Sequence, residues 1–491
     1  MQRNGLQPIN DMSANNSGQT RIYLRFICAV AIIGGLLLGY DTAVISGAEQ
    51  ALQDFFKSSL GDYYNSTRHG FVIGSALLGC IAGGALSGLL SSRFGRRNSL
   101  IAASVLFIIS AFGSYMPEFL FRPGFQFFTP GNATKGVMWA FMAYRFTGGI
   151  GIGLVSAICP IYIAEIAPAG KRGAMVSCNQ FAIIFGQLAV YFANLIIRSG
   201  LADTPELIQL AMDETGWRRM FLSELYPAVL FSLLLFLIPK SPRYLVMNGD
   251  HRHAAQILTK IHGESRAKEI ITEIKSTIVR KEGGLFAYGT KVIVIGILLS
   301  VFQQAVGINA VLYYAPRLFQ EMGSGTDISM TQTVIMGVVN IIFTISAATL
   351  IDRVGRKRLL VKGAAGMAVC MAVLSILAYF GVVGLTTTIF IVAYSAFFML
   401  SWGPAYWVLI SEIFPNSIRS KAVALCITVQ WIVNYAVSAT FPSLSDWNLG
   451  TTFLIYGIIS AISGLFAMKC LPETKGMTLE EIGSIWKSDA K

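Results

Sequence analysis

The sequence predicts an all-α integral membrane protein with twelve transmembrane helices, arranged as two six-helix halves joined by a cytoplasmic helical insert. Three observations carry that prediction. The 491 residues are 54% hydrophobic and only 13% charged, with a mean hydropathy of +0.60, whereas a soluble domain carries about 25% charged residues. The apolar residues gather in segments near the ~20 residues that cross a bilayer as a helix, without the ~10-residue alternation of barrel strands. Short polar motifs also recur in corresponding slots of the two halves.

In chain order, residues 1–21 are polar, rich in Asn, Ser and Gln, and read as a cytoplasmic tail with no cleavable signal. Apolar spans follow near 22–46, 70–91, 98–116, 136–160, 173–197 and 220–238, which makes 22–239 the N-terminal bundle. The stretch 240–289 is polar. Its apolar residues Ala254, Ile257, Leu258 and Ile261, then Ile270, Ile271, Ile274 and Ile278, recur at helical spacing, which predicts short amphipathic helices on the cytoplasmic face. Six more spans fall near 291–316, 330–351, 359–380, 385–410, 421–442 and 451–470, giving a C-terminal bundle of 290–470 and a cytoplasmic tail of 471–491.

Charge fixes the expected orientation. With the N-terminus in the cytoplasm, 29 of the 38 Lys and Arg residues lie on the cytoplasmic side, eight lie outside and Arg145 falls within a span. That is the positive-inside pattern, and it accounts for the formal charge of +12 without a nucleic-acid partner. The seven cysteines lie in or at the edge of apolar spans and are odd in number, so no disulfide framework is implied. His69, His251, His253 and His262 fall in polar connections, and a solvated loop is the plainer reading of the weakly metal-like His251–His253 spacing. The acceptor sequons Asn65-Ser66-Thr67 and Asn132-Ala133-Thr134 are read as chance occurrences.

The internal repeat is specific. Arg93-Phe94-Gly95-Arg96-Arg97 after the second span matches Asp352-Arg353-Val354-Gly355-Arg356-Lys357 after the eighth. Ala164-Glu165-Ile166-Ala167-Pro168 with Arg172 matches Ser411-Glu412-Ile413-Phe414-Pro415 with Arg419. Pro239-Lys240-Ser241-Pro242-Arg243 has a looser echo in Pro472-Glu473-Thr474-Lys475-Gly476. Repeated six-helix halves are a transporter architecture, with the binding site near the midplane between them. In the loops, glycine permits tight turns at 95 and 355, and the flanking arginines can pair with Glu165 and Glu412 or with helix C-termini.

Three ionisable residues are deep in spans: Asp41, Arg145 and Glu224. An ionised carboxylate at the centre of a membrane helix costs about 2.5–3.5 kcal/mol on insertion scales, so it is kept where it faces a cavity, a partner charge or a moving proton. Gly34, Gly35, Gly39 and Gly47 on the same helix would admit close neighbours. At ~1.5 Å per residue, Asp41 lies about 9 Å in from the outer end of its span and Arg145 about 14 Å in from the outer start of the fourth, so a pair is geometrically possible. A nearby guanidinium favours the ionised carboxylate and burial alone the protonated one. A conformational change that alters their separation therefore moves a proton; a static ion pair is the alternative. Glu224 begins the sixth span, where an interfacial carboxylate needs no special role.

Eight amides lie within apolar spans: Gln180, Gln187, Gln303, Gln304, Asn309, Asn340, Gln430 and Asn434. A carboxamide offers donors and acceptors without charge, which suits a neutral polyhydroxyl solute. Each hydrogen bond contributes roughly 0.5–1.5 kcal/mol net, enough for several to hold a sugar and still release it. Any single amide is equally well read as interhelical glue. Trp407, Trp431 and Tyr313 add apolar faces beside them. Gly403-Pro404 interrupts the tenth span, and Gly307 and Pro316 the seventh, which frees backbone groups where a cavity exists.

Taken together, Gly39-Tyr40-Asp41-Thr42-Ala43-Val44-Ile45-Ser46-Gly47, the two glycine–arginine loops, the paired Glu…Arg segments, Pro239-x-Ser-Pro-Arg243, Gln303-Gln304-x-x-Gly-Ile-Asn309 and Pro472-Glu-Thr-Lys-Gly476 resemble the sugar porters of the major facilitator superfamily over roughly 22–485. Within that family, Asn179-Gln180-Phe-Ala-Ile-Ile-Phe-Gly-Gln187 and Ser401-Trp-Gly-Pro-Ala-Tyr-Trp407 resemble the proton-coupled xylose symporters of bacteria. The human facilitative glucose transporters are also similar but lack the aspartate. The resemblance implies the major facilitator fold and symport of a proton with a neutral monosaccharide, a pentose or hexose, by alternating access. It also implies a bacterial inner-membrane location, with both termini cytoplasmic and the monomer as the working unit, and calls for no cofactor or metal. It places Gln180, Gln303, Gln304, Asn309, Trp407, Gln430 and Trp431 among the sugar ligands, with Gln187, Tyr313 and Gly403 beside them, and gives Glu224 a coupling role. Arg93, Arg96, Glu165 and Arg172, with Arg353, Arg356, Glu412 and Arg419, are implied to latch the halves together when the cytoplasmic side is closed.

Three positions depart from the family pattern. Leu38 stands where xylose symporters carry an aromatic, Ser92 where an acid precedes the first loop, and Lys240 where a glutamate follows Pro239. A facilitative uniporter, in which Asp41 is only structural, is the alternative within transport. A sugar sensor would be expected to carry a long signalling tail, where only about 20 residues follow the last span. A membrane enzyme would need a nucleophile–base arrangement or metal-ligand cluster that the sequence does not display.

Overall fold

The protein is described by a computed structural model, which covers residues 10–119, 133–167, 172–278, 284–415 and 418–475. Among the described residues there is no strand. The N-terminal helices are α1 (Asn10–Leu60), α2 (Ser66–Arg93), α3 (Arg96–Tyr115), α4 (Lys135–Ile166), α5 (Arg172–Ser199), the short α6 (Pro205–Ala211), and α7 (Trp217–Ser223) followed by α8 (Leu225–Leu235). Three helices form the insert: α9 (Pro242–Met247), α10 (His251–His262) and α11 (Glu264–Ile278). The C-terminal set is α12 (Thr290–Ala305), α13 (Ile308–Tyr313), α14 (Ala315–Glu321), α15 (Thr326–Val354), α16 (Arg356–Tyr379), α17 (Leu385–Leu400), α18 (Trp402–Glu412) and α19 (Arg419–Cys470).

Ten helical segments of the described residues are long and apolar enough to cross a membrane. The last of them, Lys421–Cys470, joins two spans through Asn448, whose backbone (φ −168°, ψ 111°) leaves the helix. The pair α7–α8, of which α8 is strongly apolar, is interrupted at Glu224 and supplies a further span. This is the arrangement expected of twelve spans.

Breaks fall where the sequence carries punctuation. The seventh span turns at Gly307, whose φ of +92° is in the left-handed region that favours glycine, and again at Tyr314, with Pro316 in the first turn of α14. The tenth breaks at Ser401, two residues before Gly403-Pro404, so Pro404 sits in the first turn of α18, where its missing N–H costs nothing. Two expectations are corrected. His69 is not in a polar connection: α2 starts earlier than its apolar run, capped by Asn65, and buries His69 completely. Glu224 does not begin a span: α6, a π-helical turn at Met212–Gly216 and α7 precede it without a break, and the roughly 10 Å of α7 alone carries it to full burial.

The insert folds as its periodicity predicts. Leu245, Val246 and Ala254 form a small apolar cluster against which Ile257, Ile271 and Ile274 pack. It is bound to the N-terminal helices: Tyr162 Oη donates to the Pro239 carbonyl at 2.7 Å, and Tyr244 Oη to that of Arg93 at 3.1 Å.

Close helix approach sets the geometry of the N-terminal half. At Gly39 a Cβ would stand 1.8 Å from the Ile183 carbonyl oxygen, and at Gly186 it would stand 2.1 Å from that of Leu36, so α1 and α5 meet backbone to backbone. Gly39→Ala must push these helices apart, at about 1–3 kcal/mol of overpacking. It is expected to lower the melting temperature of the solubilised protein, whereas Gly88→Ala, with nothing within 4 Å of the new Cβ, should leave it equal or slightly higher. Equal melting curves for the two variants would contradict this packing.

Candidate functional site

Asp41 on α1 and Arg145 on α4 meet in the interior. Arg145 Nη1 donates to Asp41 Oδ1 as an ion pair, and Nη2 donates to the Asp41 backbone carbonyl at 3.3 Å. Neither side chain is more than 3% exposed. The guanidinium also lies 5.1 Å from the centre of the Phe221 ring, within cation–π range. Gly148, one turn along α4 from Arg145, leaves the space the carboxylate needs: its Cβ would come within 3.3 Å of Asp41 Oδ2 and 2.3 Å of Ser110 Oγ.

Glu224 joins this pair from the break between α7 and α8, within electrostatic reach of both Asp41 and Arg145. Among the described residues, both Glu224 carboxyl oxygens and Asp41 Oδ2 are buried acceptors without a partner. Two carboxyl groups thus face one guanidinium in a dry interior, and the cluster is electrically neutral only when one carboxyl carries a proton.

The amides assemble around the Gly307 break. Gln303 and Gln304 end α12, and Asn309 opens α13. Asn309 Nδ2 donates to Gln304 Oε1 at 2.6 Å, Gln304 Nε2 to Gln303 Oε1 at 2.6 Å, and Gln430 Nε2 from α19 to the same Gln303 oxygen at 2.8 Å. Trp431 follows directly. Its Nε1 has no partner among the described residues, and its ring reaches toward Gly84 of α2 in the other half. Trp407 lies half-buried on α18, edge-on to Tyr406 with ring centres 5.1 Å apart, and Gly403 is buried one turn earlier. Gln180 and Gln187 are half-buried on α5 and, seven residues apart, share one face of it.

Tyr313 stands near a further span amide and near the charged cluster. Asn434 Nδ2 donates to its hydroxyl at 3.5 Å, and the same hydroxyl is within electrostatic reach of Asp41 and Arg145. The sequence marks Asn434 as a span amide but not as the neighbour of Tyr313, because 121 residues separate them.

The loop motifs form two like clusters. Arg96 Nη2 pairs with Glu165 at 2.8 Å and Ser241 Oγ donates to the other Glu165 oxygen at 2.5 Å. Arg356 Nη2 pairs with Glu412 at 3.1 Å and Thr474 Oγ1 donates to its other oxygen at 2.7 Å. Each cluster lies within one half in this conformation. Arg419 donates to the Phe414 carbonyl at 2.9 and 3.1 Å. Arg93 and Arg353 contribute backbone carbonyls, to Tyr244 Oη and Lys475 Nζ. The side chain of Arg172 lies outside the described residues. The halves differ at two places: Asp352 pairs with Arg356 Nη1 at 3.0 Å where its counterpart by the repeat is Ser92, and Glu473 Oε1 accepts from the Arg356 N–H at 2.9 Å where the counterpart is Lys240.

Comparison with known proteins agrees with this architecture. A family model described as Sugar (and other) transporter matches residues 27–486. The D-xylose-proton symporter of Escherichia coli (strain K12) is 46% identical over 97% of this chain and 98% of its own length. The glucose facilitated diffusion protein of Zymomonas mobilis is 40% identical over 94% of this chain and 97% of its own. The xylose transporter of E. coli, solved in an inward open conformation, superposes with a TM-score of 0.83 at 45% identity, over 94% of this chain and all of that one. With the model matching nearly its whole length, the chain is a member of the Sugar (and other) transporter family.

Proposed function

We propose that this protein is a symporter that couples the entry of a neutral monosaccharide, a xylose-like pentose or a hexose, to a proton by alternating access. The observation that carries this reading is the buried cluster of Asp41, Arg145 and Glu224, set apart from the amide chain of Asn309, Gln304, Gln303 and Gln430. The activity for which the E. coli relative is named supports it. The bundles 22–239 and 290–470 are the moving bodies and 240–289 the cytoplasmic linker. The basic excess supports cytoplasmic termini, and the likeness to the E. coli symporter supports the inner membrane of a bacterium, with the monomer as the working unit.

In this account the sugar's hydroxyls replace donors and acceptors of the amide chain while its apolar face packs on Trp431 and Trp407, with Gln180, Gln187 and Gly403 closing the site. The proton resides in the carboxyl cluster. Motion of α1 against α4 and α7 changes the spacing of Asp41, Arg145 and Glu224, and so changes whether the cluster holds a proton. Tyr313, which stands near a span amide and near the cluster, is the path by which sugar occupancy biases the cluster. The Arg96–Glu165 and Arg356–Glu412 clusters, with Arg93, Arg172, Arg353 and Arg419, stabilise the cytoplasmic ends, and Lys240 leaves the N-terminal cluster without the capping acid its counterpart has. The relative named for facilitated glucose diffusion favours a second reading, uniport through the same site.

Asp41→Asn separates the two. Under symport it is expected to abolish uphill accumulation while counterflow of labelled sugar in proteoliposomes continues; if accumulation survives, uniport with a structural Asp41 replaces the proposal. Gln304→Ala removes two amide hydrogen bonds at ~1 kcal/mol each and should weaken sugar binding about tenfold or more, measured by calorimetry on the purified protein. Unchanged affinity would move the sugar away from these amides.

A further inference from the structure

Glu49 lies eight residues beyond Asp41 on α1, about 12 Å further along the helix, and is buried between partners from opposite halves. His69 of α2, itself fully buried, places Nε2 at 2.7 Å from Glu49 Oε1. Arg317 of α14 donates from Nη1 to the same oxygen at 3.2 Å and to Gln53 at 3.2 Å. On its own side Arg317 is tied to Glu321 at 2.7 Å and Asp446 at 2.6 Å. Ser66 donates to the other Asp446 oxygen across the seam. At Gly70 a Cβ would stand 1.9 Å from the Ala439 carbonyl oxygen, so α2 and α19 touch there.

This end is shut. The cavity left among Glu49, Arg198, Gln209 and Arg317 has a volume of about 20 Å³, room for about one water and none for a sugar. Opening it carries Arg317 away with the C-terminal half, whereas His69 stays with Glu49 because both belong to the N-terminal half. A buried carboxylate stripped of its guanidinium is costly without another cation.

The surroundings of His69 accept either charge state without moving a heavy atom. Tyr64 Oη lies 2.8 Å from Nδ1. With a neutral ring, Nε2–H donates to Glu49 and Nδ1 accepts from the tyrosine hydroxyl; with a charged ring, both N–H groups donate and the hydroxyl accepts. The charged and titratable groups around His69 are Glu49 and Asp54 from α1, Tyr64 from the connection to α2, and Tyr314 and Arg317 from the C-terminal half, with Lys57 and Asp446 beyond.

We propose that His69 is a second proton-handling residue of the transport cycle, taking up a proton at the outer end as Arg317 leaves Glu49, so that this gate opens more readily in acid. The inference rests on the transporter reading above. The sign follows from linkage: if the open gate binds one more proton than the closed one, falling pH favours the open gate.

The test measures the distance between spin labels at Ser58→Cys and Gly325→Cys, exposed positions near the outer ends of opposite halves. It uses the full chain in nanodiscs, with the exposed Cys178 and Cys470 replaced by serine and Asp41→Asn and Glu224→Gln in place so that neither coupling carboxyl titrates. The long-distance population is expected to rise severalfold as the pH falls from about 7.5 to about 5.5. His69→Gln should abolish that response, and Arg317→Gln should raise the long-distance population at both pH values. Tyr64→Phe, a gentle change, removes the acceptor of the charged ring and should move the midpoint to lower pH. A pH response that survives His69→Gln, a population that does not change with pH when His69 is intact, or an unshifted Tyr64→Phe midpoint would each overturn the proposal. Sugar counterflow by the chain with native Asp41 reads the parent proposal separately: transport without a pH-dependent gate sinks only the gate, and absent transport sinks the symporter.

Discussion

A buried charge cluster in an apolar bundle is the constraint on which the rest depends. Asp41, Arg145 and Glu224 are each almost wholly removed from solvent, where unpaired charge is expensive, so their helices must meet within narrow limits. The sequence supplies what those limits require. Glycines at 39 and 186 let α1 and α5 approach to backbone contact, Gly148 of α4 leaves room for the Asp41 carboxylate, and the interruption between α7 and α8 delivers Glu224 to the same point. An ion pair built for stability alone would gain nothing from a second buried carboxylate. One that must hold and lose a proton gains its capacity from it.

The two halves solve the same local problem with the same parts. Arg96–Glu165–Ser241 and Arg356–Glu412–Thr474 are equivalent triads at equivalent helix junctions. Two contacts break the symmetry: Asp352 pairs with Arg356 where the first half has Ser92, and Glu473 satisfies the first N–H of α16 where Lys240 cannot accept a hydrogen bond. At the other end the halves are joined by Arg317, the charge that pairs across the seam with Glu49. Together these features describe a molecule held shut at one end by ionic contacts and lacking one capping contact at the other.

Much of this was legible in the sequence, for identifiable reasons. Apolar length, the distribution of lysine and arginine and the repeated loop motifs are local properties, and they specify the spans, the insert and the Asp41–Arg145 depth match. The helix break near Gly403-Pro404 and the turn at Gly307 follow from residues with restricted or unusual backbone freedom. What could not be read was pairing across long separations. Arg317 meets Glu49 across 268 residues, and Tyr313 meets Asn434 across 121; neither periodicity nor composition encodes such contacts. His69 and Glu224 were misplaced for another reason. Their helices begin in polar sequence, before the apolar run by which a span is recognised, so both residues lie deeper than hydropathy suggests.

The central claim is that sugar and proton move together through one cycle of one chain. The measurement that tests it most directly is external pH in a lightly buffered suspension of proteoliposomes on addition of sugar, with sugar influx followed in parallel. The account predicts alkalinisation outside that rises in proportion to sugar influx and vanishes when the sugar is not transported. Sugar influx with no movement of protons would contradict it.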